Sequence, residues 1–110
     1  MLNQVVIAGR LTSDPIVENE NDKRVCKIVV AVPRSYKNVN GEYDTDFIPC
    51  TLWQGIADTT AEYCKKGDIV GVKGRLMSEK IIGLGNIETY TIRLIAEKVS
   101  FLSSARNNEE

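Results

Sequence analysis

A chain of 110 residues with a formal net charge of −1 is long enough for one domain with a single modest core. It has no histidine, the commonest general base, and its three scattered cysteines do not suit a zinc site, so no catalytic function, metal or cofactor is expected. No apolar run approaches the roughly 18 residues of a membrane span and no secretory signal opens the chain, which predicts a cytoplasmic protein without membrane association.

The first third of the chain predicts two strands joined by polar connections. A β-branched run begins the first strand at residues 5–11, and residues 12–15 form a turn. Residues 18–23 read as a polar loop. The second strand covers residues 25–32, where Pro33 ends it or forces a bulge or an edge position. Residues 38–41 then carry the asparagine and glycine of a hairpin turn.

The third predicted strand, at residues 43–54, has the most informative pattern in the chain. Successive strand side chains point to opposite faces, so the aliphatic residues of one parity predict a core face. The other parity carries Phe47, Pro49, Thr51 and Trp53. Two large aromatics on an outward face beside basic residues favour a platform for stacking unpaired nucleic-acid bases. Cross-strand packing or an oligomer contact is the alternative.

The second half of the chain predicts a helix and two further strands. The helix covers residues 56–66, with Lys65 and Lys66 near its end, Gly67 as the C′ residue and Tyr63 in the core. Strands follow at residues 69–76 and 88–101, and residues 103–110 form a disordered polar tail. The cysteines are expected to be buried free thiols.

Five strands with one helix between the third and the fourth predict an all-β OB-fold, a partly open five-stranded Greek-key barrel. The predicted domain covers residues 1–102, with no internal repeat and no second domain.

Over these residues the chain resembles the bacterial single-stranded DNA-binding proteins, most of all the short paralogues of Gram-positive bacteria and their mobile elements. The matching segments are LNQVVIAGRLTSDP, VAVPRSYKN, GEYDTDFIPCTLW, AEYCKKGDIVGVKGRL and TYTIRLIAEKVSFL.

The resemblance implies base-stacking roles for Tyr36, Phe47 and Trp53. A fourth aromatic, common in the hairpin between strands four and five, is replaced here by Ile81, and Glu79 stands where an arginine is common. The cations expected along the binding groove are Arg10, Arg34, Lys37, Lys73 and Arg75.

The resemblance also implies self-association, as a homotetramer or alternatively a dimer, through the strand that begins at Asn3 and ends at Ala8. Relatives that recruit repair and replication enzymes end in an acidic tip finishing in Pro-Phe. This chain ends in Arg-Asn-Asn-Glu-Glu, as a naturally short form or a trimmed one, so recruitment of partners through such a tip is not expected.

The function these observations predict is sequence-independent binding and protection of single-stranded DNA, in replication, recombination, repair or uptake. Binding weaker and more salt-sensitive than that of a full family member is expected, because one aromatic and several cations are missing. An OB-fold interaction subunit of a replication or primosome assembly, with little DNA affinity, is the first alternative. A nuclease is the second, and it would need a metal-binding carboxylate cluster.

Overall fold

The structure is a computed structural model that describes residues 1–105. In this part of the chain six strands surround one core and a single α-helix covers one end of it. The elements are β1 (Val5–Leu11), β2 (Val17–Glu20), β3 (Lys23–Lys37), β4 (Tyr43–Trp53), α1 (Gly55–Tyr63), β5 (Ile69–Ile82) and β6 (Glu88–Ser103). A 3₁₀ turn, Leu84–Asn86, connects β5 to β6.

The strands form one sheet in the order β1-β5-β6-β4-β3-β2, which closes because β1 also pairs with β3. Closure is local: β1 contacts β3 only through the pairs Arg10 with Ala31 and Leu11 with Val30. The pairing of β4 with β6 is parallel, and the others are antiparallel. The five long strands are the five that were predicted, and α1 lies between the third and the fourth of them. The predicted OB-fold is confirmed.

The core is aliphatic and comes from the inward parity of each strand. Its largest fully buried hydrophobic side chains are Leu52, Val30, Val70 and Val72. Cys26, Cys50 and Cys64 are buried free thiols, as predicted. Burial raises the pKa of Cys50 to about 11 and also raises the pKa of the other two thiols. These sulfurs therefore act as small apolar groups.

The prediction of a loop at residues 18–23 was wrong. Val17–Glu20 is the strand β2, which pairs with the start of β3. The two residues between the strands, Asn21 and Asp22, have φ values of 52° and 64°. A two-residue turn with both φ angles positive matches the twist of a hairpin, which is why short polar residues suffice to form one here.

The predicted helix end was also wrong. Helix α1 ends at Tyr63, because Cys64 is extended with φ −113° and ψ 149°. The backbone N–H of Lys65 instead donates to the carboxylate of Asp68 at 2.8 Å. Gly67 has φ 90° and donates to the carbonyl of Leu11. Tyr63, predicted to lie in the core, is 66% exposed.

Two hairpins extend well past the predicted strand ends. β3 continues through Pro33 to Lys37, with a register shift against β4 after Pro33, so the bulge that was one of the predicted outcomes is present. β5 continues six residues beyond Leu76, to Ile82. A second register shift lies at Gly74, where a Cβ would meet the backbone carbonyl of Ile95. The backbones of β5 and β6 can approach this closely only because a glycine stands there.

The end of the described chain is attached to the barrel. β6 runs to Ser103, Ser104 is buried, and the N–H of Ala105 donates to the carboxylate of Asp68 at 3.1 Å. The predicted boundary between residues 102 and 103 thus falls inside β6. Of the predicted tail, residues 106–110 lie outside the described residues.

Candidate nucleic-acid interface

A row of aromatic side chains follows the outward parity of β4. Phe47 lies opposite Ala31 on β3, and Trp53 lies opposite Val25. Phe47 is 64% exposed, whereas Trp53 is half-buried. These two aromatics are six positions apart along β4, a distance of roughly 20 Å in an extended strand. The outward aromatic face predicted from the alternation of residues is therefore present, with Phe47 as its most accessible member.

A third aromatic, Tyr43, begins the same row and was not predicted from the sequence. It shares the parity of Phe47, is 57% exposed and pairs with Lys37 across the hairpin. The Lys37 ammonium lies 5.8 Å from the centroid of the Tyr43 ring, within cation–π range. Tyr36 is also exposed and belongs to the irregular part of β3 between Pro33 and Lys37. The tip of this hairpin thus joins two accessible rings with a cation.

A groove of about 490 Å³ lies between the positions of Phe47 and Trp53. Thr51 is buried in its floor, opposite Lys27 on β3. The Arg93 guanidinium donates to Thr51 Oγ1 at 3.5 Å. The groove is lined by Glu20, Lys27, Pro49, Cys50, Thr51, Glu79, Thr91, Ile92 and Arg93. It therefore combines a short apolar wall with two cations and two carboxylates.

Arg10 lies on β1, and β3 separates it from Phe47 on β4. It pairs with Ala31, which in turn pairs with Phe47. Its Nη1 donates to the carbonyl of Gly67 at 2.8 Å, which fixes the guanidinium at one edge of a second groove of about 420 Å³. This groove is mainly apolar and is lined by Ala8, Gly9, Arg10, Ala31, Pro33, Thr45 and Ile69.

Arg34 is held by two carboxylates. Its Nη2 lies 2.9 Å from Asp46 and its Nη1 lies 3.8 Å from Asp44. The hydrogen bond to Asp46 raises the pKa of Arg34, and the same bond lowers the pKa of Asp46. The positive charge of Arg34 is thus balanced locally.

Lys73 and Arg75 share a strand parity but have different neighbours. Arg75 pairs with Ile95, which pairs with Thr51 in the floor of the first groove. Lys73 pairs with Val6 on β1 and with Lys98 on β6, on the other side of the register shift at Gly74. The structure therefore brings Arg75 towards the aromatic row and Lys73 towards β1.

Two cations in the groove, Lys27 and Arg93, were not predicted from the sequence. Lys27 lies 3.5 Å from Glu20, and Arg93 lies 3.5 Å from Glu79. The outward parity of Lys27 in its predicted strand was a usable signal, whereas the pairing of Arg93 with Glu79 depends on the register of β5 and β6. The negative charge of Glu79, at a position where an arginine is common, is therefore accompanied by the positive charge of Arg93. Ile81, on the same parity of β5, is 44% exposed and pairs with Thr89.

Two further features are absent from residues 1–105. No group of three or more cysteine, aspartate and glutamate side chains there is arranged to hold a metal ion. No helix in that range is long and apolar enough to cross a membrane.

Comparison with known proteins gives consistent matches over almost the whole chain. The sequence model of the Single-strand binding protein family matches residues 2–102. The chain is 39% identical over 103 residues to single-stranded DNA-binding protein B of Bacillus subtilis, covering 93% of this chain and 91% of that protein. It is 38% identical to single-stranded DNA-binding protein 3 of Listeria innocua, and 37% identical to the single-stranded DNA-binding protein of Bacillus cereus. It covers 68% and 65% of these two longer proteins.

Proposed function

The chain belongs to the single-strand binding protein family, and on that premise we propose that it binds single-stranded DNA without sequence preference. The observation that carries this proposal is the exposed aromatic row on β4, with Phe47 at its centre. Every base has a π-face, so a row of aromatic rings accepts any sequence, and each stacked base contributes on the order of 1–3 kcal/mol.

In this proposal Phe47, Trp53 and Tyr36 stack bases, and Tyr43 extends the row at the hairpin tip. Arg10, Lys37 and Arg75 are the phosphate partners, since they flank the row and no carboxylate lies within 4 Å of them in residues 1–105. Arg34 orders the hairpin through Asp44 and Asp46, and Lys73 has a peripheral role. Phosphate contacts release counterions from the DNA, so the affinity falls as salt rises.

The protein acts here as a non-catalytic binder of exposed single strands in replication, recombination, repair or uptake. Duplex DNA binds poorly, because its bases already stack on one another and cannot reach the aromatic row. Residues 1–102 are proposed as the binding domain, in keeping with the match to residues 2–102, and β6 extends this domain to Ser103.

Self-association through β1 is proposed as well. Val5–Leu11 pairs with β5 along one edge, whereas its pairing with β3 is confined to Arg10 and Leu11. Within the described residues the rest of that second edge has no strand partner, and Val6 is exposed beside it. Such an edge can pair with a second copy. Mass measurement with and without a long oligo-dT distinguishes a tetramer from a dimer and a monomer.

Trp53 provides the test of DNA binding, because it is the only tryptophan. Titration with oligo-dT at low salt is expected to quench its fluorescence, and a duplex of equal length is expected to have little effect. An absence of quenching, together with an absence of binding to a labelled oligo-dT, overturns the proposal.

That result would favour the second candidate, an OB-fold interaction subunit. The observation behind this candidate is the ion pairing of many cations: Arg24, Lys27, Arg34, Lys80 and Arg93 each lie within 4 Å of a carboxylate.

A further inference from the structure

The groove between Phe47 and Trp53 holds two ion pairs longer than a strong charge-assisted hydrogen bond. Lys27 Nζ lies 3.5 Å from Glu20, and Arg93 Nη1 lies 3.5 Å from Glu79. Strong charge-assisted N–H···O bonds measure about 2.7–2.9 Å, as in the pairs of Arg34 with Asp46 and of Arg24 with Asp58. The two groove pairs are therefore weak contacts, and their cations can exchange partners at little cost.

The position of the groove determines what passes over it. A strand with bases stacked on Phe47 and on Trp53 must carry its sugar–phosphate backbone across the roughly 20 Å between these rings. The groove occupies that interval, with Lys27 and Arg93 on opposite walls and Thr51 between them. The Arg93 side chain is only 25% exposed, and its guanidinium donates to Thr51 Oγ1 at 3.5 Å.

We propose that Lys27 and Arg93 form a phosphate subsite that Glu20 and Glu79 occupy in the free protein. A phosphodiester displaces these carboxylates, and Glu79 limits the affinity by competing for the guanidinium of Arg93. The proposal rests on the proposed function, because the ligand is the backbone of the bound single strand. It assigns to Glu79 the role of an internal competitor, and not merely that of a missing cation.

The test compares two glutamate variants in the same hairpin. Glu79→Gln releases Arg93 in the groove. Glu88→Gln is the matched control, because it also removes one negative charge and releases one cation, Lys80, which lies 3.2 Å from Glu88. Lys80 follows Glu79 in β5 and points to the opposite face of the hairpin. Binding is measured by fluorescence anisotropy of a labelled oligo-dT over a series of salt concentrations.

Glu79→Gln is expected to tighten binding about two- to fivefold, the range that corresponds to one exposed ion pair. Glu88→Gln is expected to change the affinity by less than half of that effect. Arg93→Gln is expected to weaken binding and to reduce the slope of log K against log salt by about 0.7, the loss of one phosphate contact. The side chains of Glu79, Arg93, Glu88 and Lys80 are all polar and partly exposed. Thermal unfolding of each variant checks that the barrel stays folded.

The double variant Glu79→Gln/Arg93→Gln decides between local competition and a general charge effect. If Glu79 acts through Arg93, the gain from Glu79→Gln disappears when Arg93 is absent. An equal gain in both backgrounds, or an equal gain from Glu88→Gln, overturns the proposal. Failure of the proposed function gives a different result, since the unchanged protein then neither quenches Trp53 fluorescence nor binds oligo-dT at low salt.

Discussion

Replacement of Phe47 by alanine tests the central element of the proposed interface. Phe47 is 64% exposed and lies opposite Ala31 on the outward face of β4. Its removal therefore opens no cavity in the core, and the folding cost is limited to a cross-strand contact of about 0.2–1 kcal/mol. The loss of one stacked base is on the order of 1–3 kcal/mol, which corresponds to roughly a 5- to 150-fold weaker affinity for oligo-dT.

The affinity of Phe47→Ala is measured by quenching of Trp53, which remains in the variant. Tyr63→Ala is the matched control, because Tyr63 is an aromatic of similar exposure, 66%, that belongs to the last turn of helix α1 and not to the aromatic row of β4. The control is expected to bind within about twofold of the unchanged protein, since no stacked base is lost. The reasoning is refuted if Phe47→Ala, shown to be folded by thermal unfolding, binds oligo-dT as tightly as Tyr63→Ala does.

Three further predictions concern the scaffold. Gly74→Ala forces a Cβ against the backbone of β6 and should lower the free energy of unfolding in urea by about 1–3 kcal/mol. Gly55→Ala is the control, because open space surrounds Gly55 and no such loss is expected. Equal losses of stability in the two variants would contradict the packing argument. Asp68→Asn weakens the buried carboxylate that accepts two backbone N–H groups and should cost about 1–3 kcal/mol in the same measurement, more than Asp14→Asn at the surface. The Cys50 thiol, with its pKa raised to about 11, should resist thiol reagents at pH 9 until the protein unfolds, and rapid labelling of the folded protein would count against its burial. The free energy of unfolding should fall as pH rises from 9 towards 11, because the thiol loses its proton at a lower pH in the unfolded chain than in the folded one.

The parts of the fold that sequence predicted are those that depend on local periodicity. The alternation at residues 47–53 separated the core face of β4 from its outward face, and the observed burial agrees except at Thr51, which has outward parity but is buried. β2 was missed because its sequence, VENE, has one apolar residue, and its pairing depends on the backbone geometry of Asn21 and Asp22. Tyr63 was assigned to the core because it lies near the apolar residues of the predicted helix, but the buried residues of α1 are Ala57 and Thr60, and Tyr63 is exposed.

The residues of the candidate interface also differ in how far the sequence predicts them. The outward positions of Phe47 and Trp53 follow from their parity alone, and Tyr36 was proposed from the resemblance. Whether a cation is ion-paired could not be predicted, because this depends on carboxylates that are distant in the sequence. Arg34 meets Asp46 across a hairpin, and Arg93 meets Glu79 only in the register that β5 and β6 adopt. A count of lysines and arginines therefore does not measure how many are available to phosphates.

The ion pairing of cations with carboxylates also bears on the rate at which a strand is captured. Opposite charges within 4 Å largely cancel at distances beyond the Debye length of about 10 Å, so the paired cations of the groove add little long-range attraction for an approaching strand. That attraction comes from Arg10, Lys37 and Arg75, so the rate of association is expected to depend on these three cations and on ionic strength, and much less on Lys27 and Arg93. Differences in affinity among variants should accordingly appear in the residence time of the strand on the barrel.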